Sequence, residues 1–499
     1  MSPKIEKMEN AKFLRLPADS SAKLRDQVCE LVSAAISRDL FSESEPLPSC
    51  RSLAEHLGVS RNTVYDAYCS LMDLGMVTAK DRSGYFVADT LGQFQDTIPL
   101  AQKERSATLS PLKTMLASKP RPSGMRKVDH PVDWTSYTYP FVYNQIEPER
   151  FPVAGWRESM RVAMATSNIE RWTRDSAGTG SVLLVKQLQQ RLFGYRGISA
   201  DYDQILITNG AQHSIYLLGC LTAYAGRSVA VEDPCYPEAR NAFAVAGAPV
   251  VNVPVDRNGL VVSKIPKGVG MVYTTPSHQF PTTVTMPEDR RRQLCARAEQ
   301  DDFLICEDDY EAEMNFVQGR GRPIQSMEAS GRAIYVGSLS KSVAPGLRIG
   351  YMVAHPDIIK EIKAIRRYMM RHPPILMQEA MANFIATGAL DVHLRKMERR
   401  YRGRWEITLG AIKEFLPEFE IQASLGGTCF WLTGPPDVDT TVLAQRLKTR
   451  SVLIDEGAVF FSDPDQGRRN FRIGFAALPR AAIHDGIQVI ADEVKRMRG

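Results

Sequence analysis

The feature that most restricts the fold is an alternation in the longer, C-terminal part of the chain. Short apolar runs occur at 205–207, 228–231, 271–273, 303–306 and 333–336. Helical patterns fall between most of them, for example Gln212 to Tyr224 and Pro287 to Gln300. Strands alternating with helices build a mainly parallel α/β sheet. Ligands on such sheets bind beyond the carboxyl ends of the strands. The residues that follow these runs are therefore where chemistry is expected.

The run GSLSKSVAPGLRIGY (337–351) follows the last strand. Its small residues let a planar ligand approach the backbone. Its hydroxyls and Arg348 suit a phosphate, and Lys341 suits an imine with an aldehyde. That is the chemistry of pyridoxal phosphate. Upstream, EDDY (307–310) ends another strand. A buried carboxylate there can pair with a protonated pyridine nitrogen, and a phenol two residues later can bond the ring oxygen. DPCYP (233–237) offers Tyr236 for stacking, and TNGAQ (208–212) opens a helix whose amides suit a phosphate.

The N-terminal part has a different texture. Leu24, Val28, Leu31, Val32, Ala35 and Ile36 recur at helical spacing. PLPS (46–49) leads into a second helix with Leu53, Ala54 and Leu57 on one face, broken by Gly58. Ser60 is a good cap for a third helix lined by Val64, Tyr68, Leu71 and Met72, with Gly75 at its end. MVTA (76–79) and YFV (85–87) around DRSG (81–84) make a hairpin. Two helices joined by a tight turn, then a hairpin, form a winged helix-turn-helix. Residues 88–130 form a looser, Ser- and Pro-bearing linker.

LPSCRSLAEHLGVSRNTVYDAY (47–68) resembles the N-terminal domain of GntR-type bacterial transcription regulators. The resemblance implies that Arg51, Arg61 and Thr63 face DNA and that Ser60, Arg61, Asn62 and Thr63 start the recognition helix in the major groove. The wing, with Arg82 and Gly84, would reach the adjacent backbone or minor groove.

From about residue 135 onward, the order and spacing of motifs resembles the fold-type I, aspartate-aminotransferase-like enzymes. The resemblance implies Lys341 as the Schiff-base lysine, Asp308 at the pyridine nitrogen, Tyr310 at the ring hydroxyl and Tyr236 stacked on the ring. It implies Ser338, Ser340 and Arg348 at the phosphate, with Gly210, Ala211 and Gln212. NFRIGF (470–475) matches the C-terminal arginine motif, so Arg472 would grip the carboxylate of an amino-acid ligand. The turn TPSHQFPTT (275–283) departs from the enzymes. Their ring-contacting asparagine has no counterpart here, and His278 and Gln279 are the nearest substitutes.

TPSHQFP looks like the MocR subfamily, which joins a GntR-type domain to an aminotransferase-like domain through a linker. The expected division is 1–90 for the winged helix-turn-helix, 91–130 for the linker and 131–499 for the effector-sensing, dimerising domain. Members that sense a linear amino acid such as 4-aminobutyrate carry an extra basic residue just after the stacking tyrosine. Here Glu238 and Arg240 lie two and four residues on. Glu238 suits a ligand with a second amine.

The resemblance thus implies a regulator, not an enzyme, with operator DNA and a small amino acid or amine as partners. The effector would act by transaldimination at Lys341, in a homodimer, to control genes for its own metabolism. An active aminotransferase with an accessory DNA-binding domain is the alternative. A DNA-binding protein with an inert dimerisation scaffold is a third reading.

Charge sharpens the picture. Lys and Arg number 62 against 57 Asp and Glu, which excludes a histone-like polycation. Residues 20–87 hold seven basic and nine acidic side chains, while the linker holds seven and four. DNA binding must then rest on a few placed residues, with linker help at phosphates. No apolar run of membrane-spanning length occurs, and MSPKIEKMEN lacks the core of a secretory signal. The eight cysteines form no CxxC pair, so inert thiols in a reducing bacterial cytosol are expected, and no metal. DNA-bound molecules would lie on the nucleoid.

Overall fold

The computed structural model describes residues 14, 16, 23–37, 40–41, 45–80, 83–88, 122–142, 147–174, 178, 180–311, 314, 321–339, 341–422 and 426–498. Arg82, Ser340 and most of the linker lie outside these residues. The chain divides into two compact units, Met1–Ala117 and Ser118–Gly499. Among the described residues no helix is long and apolar enough to cross a membrane. All eight cysteines are free.

The first unit holds α1 (Leu24–Ser37), α2 (Cys50–Leu57), α3 (Arg61–Asp73), β1 (Val77–Lys80) and β2 (Gly84–Val87). Val28, Val32 and Ile36 from α1 meet Leu53 and Ala54 from α2 and Val64, Tyr68 and Leu71 from α3 in one apolar core. Two predicted stripe residues behave differently. Leu24, in the first turn of α1, is 52% exposed, and Leu31 is only partly buried. Helical periodicity assigns a face but does not say where the neighbouring helices end. The strands pair antiparallel, with Val77 opposite Val87 and Lys80 opposite Gly84. Tyr68 adds a polar tie, its hydroxyl donating to the Pro48 carbonyl at 2.8 Å.

The second unit is built on an eight-stranded sheet. Its strands are β3 (Ile205–Thr208), β4 (Val229–Asp233), β5 (Val250–Asp256), β6 (Gly259–Leu260), β7 (Met271–Thr274), β8 (Leu304–Asp308), β9 (Ala333–Ser338) and β10 (Gly350–Val353). The spatial order is β3-β10-β9-β8-β7-β4-β5-β6. The central pairs β9·β8, β8·β7, β7·β4 and β4·β5 are parallel. β10 runs antiparallel to both β9 and β3, so β3 runs with the central strands. β5, β6 and β10 lie outside the apolar runs read from the sequence, and β10 follows the Pro-Gly turn too closely to read as a separate element. Helices α4 (Ala211–Tyr224) and α5 (Pro237–Val245) follow β3 and β4 directly.

A second, four-stranded antiparallel sheet joins β11 (Glu420–Ile421), β12 (Cys429–Thr433), β13 (Asp455–Glu456) and β14 (Asn470–Gly474), in the order β11-β12-β14-β13. The long helix α6 (Ala389–Phe415) and α7 (Arg480–Arg498) share its core through Ile412, Phe430, Phe471 and Ile487. The segment read as linker does not run free up to residue 130. Its end is held on this unit, with Asn241 Nδ2 donating to the Arg126 carbonyl at 2.8 Å.

Candidate functional site

Because β3, β4, β7, β8 and β9 run the same way, their carboxyl ends share one edge of the sheet. A cleft opens at that edge. Ala211, Gln212, Tyr236, Tyr273, Thr275, Phe280, Asp308, Tyr310, Ser338, Lys341 and Arg348 line it.

Lys341 lies just past the end of β9. Its Nζ sits 4.1 Å from the centroid of the Tyr310 ring. Burial, aided by the charge of Arg472, pushes the amine well below the usual lysine range. An uncharged amine keeps a lone pair for a carbonyl carbon.

Asp308 and Asp309 separate at the end of β8. Asp308 faces the cleft, and its Oδ2 accepts from the Tyr273 hydroxyl at 2.7 Å. Its other oxygen, Oδ1, is buried without a hydrogen-bond partner. Burial pushes this carboxyl up to about 7. A protonated ring nitrogen supplied by a ligand would satisfy Oδ1 and restore the charge. Asp309 turns the other way, to Arg196 at 2.5 Å and the Tyr335 hydroxyl at 2.8 Å. Tyr310 returns to the cleft side.

The opposite end of the cleft is made by close backbone approach. Gly210 (φ +82°) precedes α4, and a Cβ there would lie 2.9 Å from the Arg348 guanidinium. A Cβ on Gly350 would lie 2.6 Å from the Gly210 Cα. Only glycines let β10, the start of α4 and Arg348 meet this closely. Arg348 is exposed and donates from Nη2 to the Asn209 carbonyl at 2.9 Å. A helix N-terminus beside a guanidinium suits a phosphate group. The orphaned Asp308 oxygen, the Lys341 amine with its lowered proton affinity and this cradle fit pyridoxal phosphate.

The aromatic wall joins Tyr236 to Phe280, with ring centroids 5.0 Å apart, and Phe280 to Tyr310 at 5.7 Å. Tyr273, Thr275 and Phe280 were not singled out from the sequence. Tyr273 was legible as the last residue of a strand run beside the aspartate strand. Thr275 and Phe280 lie in the TPSHQFP turn, whose shape no local pattern reveals. Buried Glu232 shapes that turn, accepting from the hydroxyls of Thr274 at 2.6 Å and Thr275 at 2.7 Å. Gln279 is occupied there, donating to the Pro234 and Phe280 carbonyls at 2.8 Å each. His278 is buried with Nδ1 2.7 Å from the Ser277 carbonyl. Neither lines the cleft.

Arg472, on β14, is fully buried and is not one of the lining side chains. Its guanidinium packs on the Phe280 ring, 4.2 Å from the centroid, and Nε lies 3.4 Å from Asp455 Oδ2. Arg240 is turned to structure: it pairs with Asp233 at 3.3 Å and donates to the Phe460 carbonyl at 2.9 Å. Glu238 has one oxygen buried without a hydrogen-bond partner, and burial raises its carboxyl.

In the first unit, the Ser60 hydroxyl accepts the Thr63 N–H at 3.0 Å and caps α3. The Thr63 hydroxyl bonds back to Ser60 at 2.8 Å, so Thr63 helps to fix the cap. Arg51, Arg61 and Asn62 are exposed, as is Gly84 in the wing. Tyr65, missed in the sequence, is 52% exposed one turn on from Arg61.

The family description "Bacterial regulatory proteins, gntR family" matches residues 24–87, and "Aminotransferase class I and II" matches residues 138–490. The chain is 38% identical over 479 residues to the HTH-type transcriptional regulator TauR of Rhodobacter capsulatus, covering 95% of this chain and 97% of that protein. It is 29% identical to the probable rhizopine catabolism regulatory protein MocR of Rhizobium meliloti, covering 82% and 80%. Among solved structures it is similar to a kynurenine aminotransferase of Pyrococcus horikoshii in complex with PMP. The TM-score is 0.67 at 26% identity, over 81% of this chain and 99% of that one.

Proposed function

The chain belongs to the GntR-type transcription regulators of the MocR subfamily, and from that premise we propose how its two units share the work. It is a DNA-binding transcription regulator that uses pyridoxal phosphate. The first unit, within residues 1–90, binds operator DNA through Arg51, the capped start of α3 (Ser60, Arg61, Asn62, Thr63) and the wing residues Arg82 and Gly84. The effector domain, from residue 131, holds the cofactor and pairs two copies into a homodimer. A dimer reads two half-sites, so the operator would be a spaced repeat.

Bound pyridoxal phosphate supplies an aldehyde carbon at which one primary amine can replace another. Lys341 would hold that carbon, and its amine would leave with the proton that the effector's amine gives up. Asp308 would accept the ring N–H at Oδ1, with Tyr273 fixing its carboxylate plane. Tyr236 would stack on the ring, and Tyr310 would donate to its oxygen. Gly210, Ala211 and Gln212, with Ser338, Ser340 and Arg348, would hold the phosphate. Arg472 would bind the carboxylate of an amino-acid effector that reaches it past the Phe280 ring on which it packs. The observation that carries this reading is the meeting of Lys341 and the unpartnered Asp308 oxygen in one cleft.

The protein acts as a sensor, not a turnover enzyme, in the bacterial cytosol and on the nucleoid. Eight unpaired cysteines suit a reducing compartment. The near-complete set of cofactor-facing residues favours, as second reading, an active aminotransferase. Incubation with amino donors and a keto acid separates the two. A sensor gives one stoichiometric change in the cofactor absorption band and altered operator binding in a gel shift. Steady formation of amino and keto products would establish the second reading instead.

A further inference from the structure

We propose that residues 125–130, which lead the chain into the effector domain, read the carboxylate end of the cleft through a relay of His130, Asp455 and Arg472. The inference rests on the reading of Arg472 as the effector's carboxylate grip.

Three anchors seat this segment. Arg126 donates from Nη1 to the Phe461 carbonyl at 3.2 Å and from Nη2 to the Ser462 carbonyl at 2.6 Å. Val128 packs against the aromatic cluster of Phe280, Tyr310, Trp431 and Phe460, together with Tyr236. Three of those rings line the cleft. His130 Nε2 lies 2.6 Å from Asp455 Oδ1.

Asp455 connects the last anchor to the site. It stands directly opposite Arg472 on the neighbouring strand, and both are buried. One carboxylate oxygen meets His130 and the other lies 3.4 Å from Arg472 Nε. An effector carboxylate on Arg472 would place a second anion on the same buried guanidinium. Two carboxylates sharing one cation away from water repel, so the hold of Arg472 on Asp455 weakens. Asp455 must then shift. That shift alters the His130 contact, and His130 sits where the chain continues back toward the DNA-binding unit. Asp455 and His130 are thus positioning residues, acting through Arg472.

Two probes isolate the carboxylate. Aminooxyacetate and O-methylhydroxylamine both capture the cofactor carbonyl in exchange for Lys341, but only the first carries a carboxylate. Hydrogen exchange at the backbone amides of 125–130 is measured in the full-length, cofactor-loaded protein, with the absorption band as proof of capture. We expect severalfold faster exchange with aminooxyacetate and no change with O-methylhydroxylamine. His130→Ala should exchange fast in every state and lose the response, while His130→Gln, which keeps a donor, should retain it. Equal responses to the two probes, or silence after proven capture, would overturn the relay while leaving the cofactor reading intact. A normal response in His130→Ala would overturn it as well. If neither probe moves the absorption band, the cofactor reading fails and the relay with it.

Discussion

Asp308 and Asp309 are chain neighbours whose side chains serve opposite sides of a strand end. Asp308→Asn should weaken cofactor function, because an amide cannot hold the ring nitrogen protonated. Asp309→Asn should instead unfold more easily, by about 3–5 kcal/mol, since it removes a buried charge that pairs with Arg196 and accepts from Tyr335. Borohydride trapping beside a thermal melt distinguishes the two losses. A larger trapping defect in Asp309→Asn would count against this assignment of faces. The raised carboxyl also makes a pH prediction. With a folded value of about 7, Asp308 keeps its proton after the unfolded chain has lost it. Between about pH 4 and about pH 7 the folded, cofactor-free protein thus binds more protons, and its stability falls as pH rises. One such group contributes a slope of about 1.4 kcal/mol per pH unit. Asp308→Asn should flatten the decline in melting temperature across that window. Part of the slope should persist, because burial also pushes Glu307 up to about 7. Lys341→Ala should fold and hold pyridoxal phosphate only non-covalently. Peptide mapping after borohydride reduction checks this, and an adduct on another lysine would refute the assignment.

At the scale of elements, the strand that ends in Asp308 was legible because a short apolar run stops at a polar tetrad. The recognition helix was legible because Ser60 is a local cap and its apolar stripe is regular. Strand β10 was not, since its residues look like the tail of the Pro-Gly turn, and only pairing with β3 and β9 makes them a strand. The same limit hid Phe280 and Asp455, whose positions depend on contacts far along the chain. The sequence points to lysine, aspartate and tyrosine by their company, but it cannot place the aromatic ring against which Arg472 packs. For α3 the local reading leads to a direct test. Arg61 is its first residue and is exposed, while Val64, Tyr68 and Leu71 are buried. Arg61→Ala should therefore abolish operator binding and leave the cofactor spectrum unchanged. An arginine at a guanine edge discriminates by about 1–3 kcal/mol, and a dimer loses it twice. A gel-shift titration run beside an absorption scan measures both, and wild-type operator affinity would mean that another element reads the groove.

For the whole molecule, the question is where DNA affinity comes from when the DNA-binding unit is slightly acidic. Residues 20–87 carry a net charge of −2, although the whole chain carries +5. Non-specific attraction should then be weak, and specific binding should depend on few phosphate contacts. With Arg61 assigned to a base edge and Arg51 and the wing residue Arg82 assigned to phosphates, a dimer neutralises about four phosphates through this face. The slope of log affinity against log salt is about −0.9 per phosphate, which gives about −4 for the full-length protein. Fluorescence anisotropy on a labelled operator at several salt concentrations measures it directly. A slope near −10 would require cations beyond the helix-turn-helix. The richest candidate is the run RKMERRYRGR (395–404) in α6, with six basic side chains and one acidic. Its outer members Arg395, Lys396, Arg399 and Arg402 are exposed. Neutralising these four would then make the slope shallower by about one unit for each phosphate no longer neutralised. With the shallow slope expected here, the same substitutions should leave operator affinity and its salt dependence unchanged, because the proposed DNA contacts lie in the first unit.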